Sequence, residues 1–66
     1  MCRSIQTLRR PEGEPSDDEI RAAALQFVRK VSGYRQPSRV NAEPFEAAVD
    51  DIATASRRLL DALTVR

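Results

Sequence analysis

Three groups of residues in this chain are of types that do chemistry. The first is Cys2, whose neighbour Arg3 favours the thiolate form. A thiolate nucleophile needs a base, and the chain contains no His to pair with it. Cys2 therefore reads as a small apolar residue of an N-terminal arm, or else as a redox-sensitive or modified thiol. The second group is the acid pairs Asp17/Asp18 and Asp50/Asp51. Adjacent residues on a helix point about 100° apart, so neither pair converges on one atom as general acid–base work requires. Helix-start acids and solvated surface account for them. The third is the stretch VRKVSGYRQPSRVN, residues 28–41, which carries Arg29, Lys30, Arg35 and Arg39 and no acid. Tyr34 lies among these cations, and Ser32, Ser38 and Asn41 add donors.

Arginine beside an aromatic ring can contact phosphate and stack on a base, and the start of a following helix offers free N–H groups to an anion. Contact of Arg29, Lys30, Tyr34, Arg35, Ser38, Arg39 and Asn41 with an anion or nucleic acid is thus one reading. A solvated turn that caps two helices is another, and contact with a protein is a third. Two features oppose the first. The connection is longer than the three- or four-residue turn of a DNA-reading helix-turn-helix, and the second helix opens with acids that repel a phosphate backbone. No Gly-rich phosphate loop, metal-ligand spacing or catalytic triad is present. The expectation is no catalytic residue, no metal and no cofactor.

Helices must position these side chains. Ser16 and Glu19 match a capping box, and Asp17, Asp18 and Glu19 complement the positive end of a helix dipole. Apolar residues follow at Ile20, Ala24, Phe27 and Val31. Gly33 sits where a left-handed cap closes a helix, after Arg29 and Lys30 in its last turn. The pattern predicts a helix over about 17–32. After a loop over 34–40, Asn41 is a candidate N-cap and Pro44 is tolerated in the first turn. The stripe Phe45, Val49, Ile52, Ser56, Leu59, Leu63 then predicts a second helix over about 42–63. Ahead of both lie residues 1–15. The first ten form an arm with Cys2, Ile5 and Leu8 as its apolar positions, suited to a loose helical turn or an extended strand, and PEGEP reads as a turn.

A short connection folds two such helices back on each other. The fold expected is all-α: an N-terminal arm and turn, 1–15, then an antiparallel two-helix hairpin, 16–66. Antiparallel packing would bring Arg29 and Lys30 near Glu43 and Glu46, and Asp17 and Asp18 toward Arg57 and Arg58. Arg57 and Asp61, four apart, can pair weakly.

A chain of 66 residues is at most one domain, and two helices touching along one stripe bury little apolar area. Small domains are usually completed by disulfides, a metal or a partner subunit. One Cys and no His leave the partner subunit. Leu25 lies roughly 140° round from the Ile20 stripe and, with Val28, widens the apolar arc. Ala48, Ala55 and Ala62 recur every seven residues on the second helix. An arm over Leu25 and a second subunit on the alanine row would make a four-helix dimer. Good helix propensity on a half-exposed flank is the alternative explanation of the alanines. Leu25, Val28, Ala48, Ala55 and Ala62 are the candidate protein interface.

The net charge of +1 points neither toward nor away from a polyanion. MCRSIQTLRR lacks the apolar run of a signal peptide, no segment reaches the length of a membrane span, and a lone Cys suits a reducing compartment. A cytoplasmic protein without a membrane partner is expected.

Four segments, MCRSIQTL, DDEIRAAALQFVRKVSG, PSRVNAEPFEAAVDDIA and RRLLDAL, give the chain a resemblance to the bacterial domain of unknown function family 2277. The likeness covers almost the full length, with the Val-Arg-Lys-Val-Ser-Gly and Pro-Ser turn elements in order. It departs at Ser4 and Arg39, where the family typically has Asn or Lys. The resemblance implies a small bacterial protein with no assigned activity. It singles out Cys2, Arg3, Arg29, Lys30, Ser32, Gly33, Pro37, Ser38 and Asn41 as belonging to the family's motif. Residues and resemblance together lead to a non-enzymatic helical assembly or adaptor protein, a homodimer or a subunit of a larger complex. The alternative is nucleic-acid or anion binding through the basic turn.

Overall fold

The computed structural model describes residues 6–9 and 13–63. Two helices make the fold: α1, Asp17–Ser32, and α2, Ala42–Ala62. They pack against each other as a hairpin, with no ladder of strands among the described residues.

Local chemistry sets where α1 begins and ends. Ser16 Oγ accepts the Glu19 N–H at 3.1 Å, and the Ser16 N–H donates to Glu19 Oε1 at 2.9 Å, so both halves of the capping box are made. Pro15 before the cap and Ile20 in the next turn are both buried, the two positions of a hydrophobic staple. At the other end Gly33 adopts φ 81°, and its N–H donates to the Arg29 carbonyl at 2.9 Å. A side chain there would be strained, which is why the helix closes on glycine. Ser16→Ala removes one half of the box. It is expected to cost about 1 kcal/mol, read as a lower urea midpoint with an unchanged slope.

The core is small. Ile20, Ala24 and Val28 of α1 and Phe45 and Val49 of α2 are its buried apolar side chains, and Leu25, Ala48, Ile52 and Ala53 pack around it partly exposed. The α1 stripe differs from expectation. Spacing suggested Ile20, Ala24, Phe27 and Val31, but burial follows Ile20, Ala24 and Val28, leaving Phe27 45% and Val31 70% exposed. With only one partner helix, α1 buries a narrow strip, and a residue one step round the helix falls outside it. Val28, expected on an outer interface, is therefore inside the hairpin. The α2 stripe carries one polar member, Ser56, whose Oγ donates to the Ile52 carbonyl at 2.7 Å. Its hydroxyl is satisfied within its own helix.

Two arginines tie the helices along the edges of the core. Arg57 donates to the Asp17 carboxylate and, at 3.3 Å, to the Pro15 carbonyl. It also lies 3.7 Å from Asp61 and 4.0 Å from Glu14. The start of α1 is thereby latched to the last third of α2, as antiparallel packing required. Arg21 reaches Asp50 at 2.5 Å and Glu46 at 3.2 Å. Both guanidinium pKa values are raised, Arg21 chiefly by its hydrogen bond to Asp50 and Arg57 chiefly by that to Asp17. Glu46 is thus held by Arg21, and not by the Arg29–Lys30 end as the charge layout suggested. The reason is register: Arg21, about two helical turns nearer the start of α1 than Arg29, is the cation that reaches Glu46.

Candidate assembly surface

The basic turn is built chiefly from its own backbone. Arg29 Nε donates to the Arg35 carbonyl at 2.9 Å, drawing the loop back over the end of α1. The Tyr34 N–H donates to Ser32 Oγ at 3.1 Å. Backbone N–H groups of Asn41 and Ala42 donate to the carbonyls of Ser38 and Arg39 at 3.0 and 3.5 Å. Asn41 occupies the N-cap of α2, but its side chain makes no capping bond. Its Nδ2 donates instead to the Tyr34 hydroxyl at 3.3 Å, closing the turn from within. The expected side-chain cap is therefore replaced by a brace across the loop. Lys30, Arg35, Ser38 and Arg39 are exposed, and Arg29 is committed to the loop backbone. The four cations of the turn lie within one short stretch of sequence, but only Lys30, Arg35 and Arg39 are exposed.

An apolar surface lies beside this turn. Phe27, Val31 and Tyr34 on one side and Pro44, Ala48 and Ile52 on the other line a groove of ≈ 300 Å³. Along α2 the surface continues through Ala55, which is exposed, to Leu59, 58% exposed. Burial here would remove several large apolar side chains from water, at about 25 cal/mol per Å². A contiguous patch of this kind is the mark of a contact surface, whereas single exposed apolar residues are not.

The sequence-predicted interface residues divide among three places. Ala48 lines the groove, and Ala55 and Ala62 are exposed along α2. Leu25 packs against the core from its edge, and Val28 lies within the core. Gln6 and Leu8 of the arm line a shallow hollow with Glu19, Ala22 and Ala23, and Leu25 is not part of it. Cys2 and the opening of the arm lie outside the described residues. Sequence reasoning missed Phe27, Val31 and Leu59 as surface residues because each was assigned to a core stripe, whereas Ile52, assigned likewise, does pack against the core. A signal was available: Phe45, Ile52 and Leu59 alternate with Ala48, Ala55 and Ala62 at spacings of three and four. That is the a/d pattern of a coiled-coil seam.

Charge flanks this seam unevenly. Asp50 and Glu46 are taken up by Arg21. Asp51 and Arg58, seven residues apart and both exposed, make no ion pair among the described residues. No group of three or more potential metal ligands occurs among the described residues, and no described helix is long and apolar enough to cross a membrane.

Comparison with known proteins gives one family. The sequence model of the uncharacterized conserved protein family DUF2277 matches residues 1–66. Neither the curated proteins nor the solved structures yield a match.

Proposed function

Since the chain belongs to that family, whose activity is open, we propose a function from geometry: it is a small non-enzymatic assembly protein that works as a homodimer. The observation that carries this reading is the apolar face on which Phe27, Val31 and Leu59 are exposed and Ile52 is half-buried, set against a core of five buried side chains. A hairpin with so small a core gains from covering that face, and a second copy supplies two more helices of the same kind. The protein's mechanism is then the presentation of a four-helix unit, either alone or within a larger complex. A cytoplasmic, bacterial setting belongs to the same proposal and rests on the lone Cys2 and the family resemblance.

Sedimentation velocity of the full chain tests the reading. A dimer at micromolar concentration is expected, with a thermal midpoint that rises with concentration. A well-folded monomer at the same concentration overturns it.

A second reading, anion or nucleic-acid contact, draws support from the exposed Arg35 and Arg39 near Tyr34, which make no ion pair among the described residues. It predicts weak binding to mixed-sequence RNA at low salt. Arg35→Ala with Arg39→Ala should then lower the slope of log K against log salt by up to about 2. No binding by the intact chain at low salt removes this reading and leaves the first untouched.

A further inference from the structure

We infer that the two copies pack through α2 in antiparallel direction, about a two-fold axis at Ala55. This rests on the homodimer reading above and adds its register.

The inference starts from the offset between the helices. Arg57 pairs with Asp17, the first residue of α1, so α2 continues past α1 over residues 58–62. Leu59 is in this overhang and 58% exposed, whereas Leu60, one step round the helix, is half-buried in a hollow lined by Glu14 and Pro15. The apolar groove lies at the opposite end of the hairpin, at the level of Ala48 and Ile52. One copy therefore carries a projecting apolar side chain at one end and an unfilled apolar hollow at the other.

A two-fold axis across α2 joins these features. With the axis at Ala55, each residue a given number of steps after it faces the residue the same number of steps before it on the other copy. The overhang 58–62 then lies beside 48–52 of the partner, where the groove is. Leu59 of the partner enters the hollow between Val31 and Ile52, and Ala62 of the partner meets Ala48. The alanines at spacing seven let the two α2 backbones approach closely at the axis. An isologous contact of this kind satisfies both hollows at once and leaves no open end.

Charge selects the direction. Asp51 and Arg58 share one flank of the seam, since seven residues bring a helix back to within about 20° of the same side. In the antiparallel arrangement Asp51 lies one residue from level with the partner's Arg58, within reach of that long side chain, and the reciprocal pair forms across the axis. In a parallel arrangement like residues would lie at the same level, with Asp51 beside Asp51 and Leu59 beside Leu59 of the two copies, and the grooves would stay empty. Flanking charges of this kind set the orientation and partner choice of coiled coils.

Charge reversal tests the arrangement. Asp51→Arg and Arg58→Asp are both at exposed sites and leave the hairpin core untouched. Each alone is expected to weaken self-association by about tenfold or more, because both cross-axis pairs become repulsive. An equimolar mixture of the two variants is expected to pair to within about threefold of the unaltered chain, because every contact becomes opposite in sign again. Self-association of both variants at full strength, or a mixture no tighter than either alone, overturns the antiparallel register while the homodimer reading stands. A monomeric unaltered chain overturns both.

Cysteine cross-linking checks the same register without altering charge. In a Cys2→Ser background, Ala55→Cys should form a disulfide-linked dimer on mild oxidation. Ala62→Cys alone should not, but it should cross-link when mixed with Ala48→Cys. Cross-linking of Ala62→Cys with itself would show parallel packing and end the inference.

Discussion

Phe45→Ala is expected to leave the chain largely unfolded. Phe45 is the one aromatic side chain in the core, 6% exposed, and it packs in a cluster with Ala24, Val28 and Val49. Truncating a buried Phe costs about 3–5 kcal/mol, part from lost transfer energy and part from the cavity left behind. A single core in a chain of this size supplies no more than about 3–5 kcal/mol, so the loss matches the whole stability. Collapse of the cavity cannot offset much, because Ala24 opposite is already minimal in size. Far-UV circular dichroism should report the loss of helix, and the urea transition should disappear. Val40→Ala is the control: Val40 is 87% exposed on the turn, and its removal should change stability by less than about 0.5 kcal/mol. A Phe45→Ala chain with the helix content and midpoint of the unaltered protein would show that the core is not organised around this ring.

The same contrast explains how much of the fold was legible in the sequence. The α1 start was legible because it depends on contacts three residues apart, and Ser16 and Glu19 make both of them. Gly33 was legible for the same reason, being the residue suited to the φ of 81° that closes the helix. Which face of α1 is buried was harder to read. Phe27 and Val28 are one residue apart, and both fit an apolar arc. The choice between them depends on how α2 lies across α1, a distant contact that spacing does not encode. The turn shows a further limit. Asn41 is a residue that caps helices, and it stands at the cap position, but its side chain bonds to Tyr34 across the loop. A local preference yielded there to a partner seven residues away.

Site residues followed the same division. The alanine row and the cations of the turn were visible because composition marks them. The groove was not, since Phe27 and Val31 come from one helix and Pro44, Ala48 and Ile52 from the other. Only the hairpin brings them to one surface. The charges behave alike: Asp50 and Asp51 are neighbours in sequence, but Arg21 holds Asp50, and Asp51 beside the seam has no ion pair among the described residues. That difference of one step round the helix separates a charge that fastens the hairpin from one that can address another molecule.

Leu59→Asp is expected to abolish assembly while sparing the hairpin. Leu59 is 58% exposed in the single chain, so the hairpin gains little from it. In the dimer its exposed part would be covered, a gain of about 1.5 kcal/mol per copy. Two copies per dimer make about 3 kcal/mol, more than a hundredfold in Kd. Asp adds the cost of bringing a carboxylate against an apolar hollow, and in the antiparallel register it also faces the partner's Asp51. Leu59→Gln separates these contributions, losing the hydrophobic part without adding charge, and should weaken association less than Leu59→Asp. Sedimentation equilibrium of the three chains gives the order directly. Thermal unfolding at several concentrations supplies the second half of the result: the midpoint of the unaltered chain should rise with concentration, and that of Leu59→Asp should not. If Leu59→Asp dimerises as tightly as the unaltered chain, the contact does not run through the end of α2, and both the proposed face and its axis are wrong.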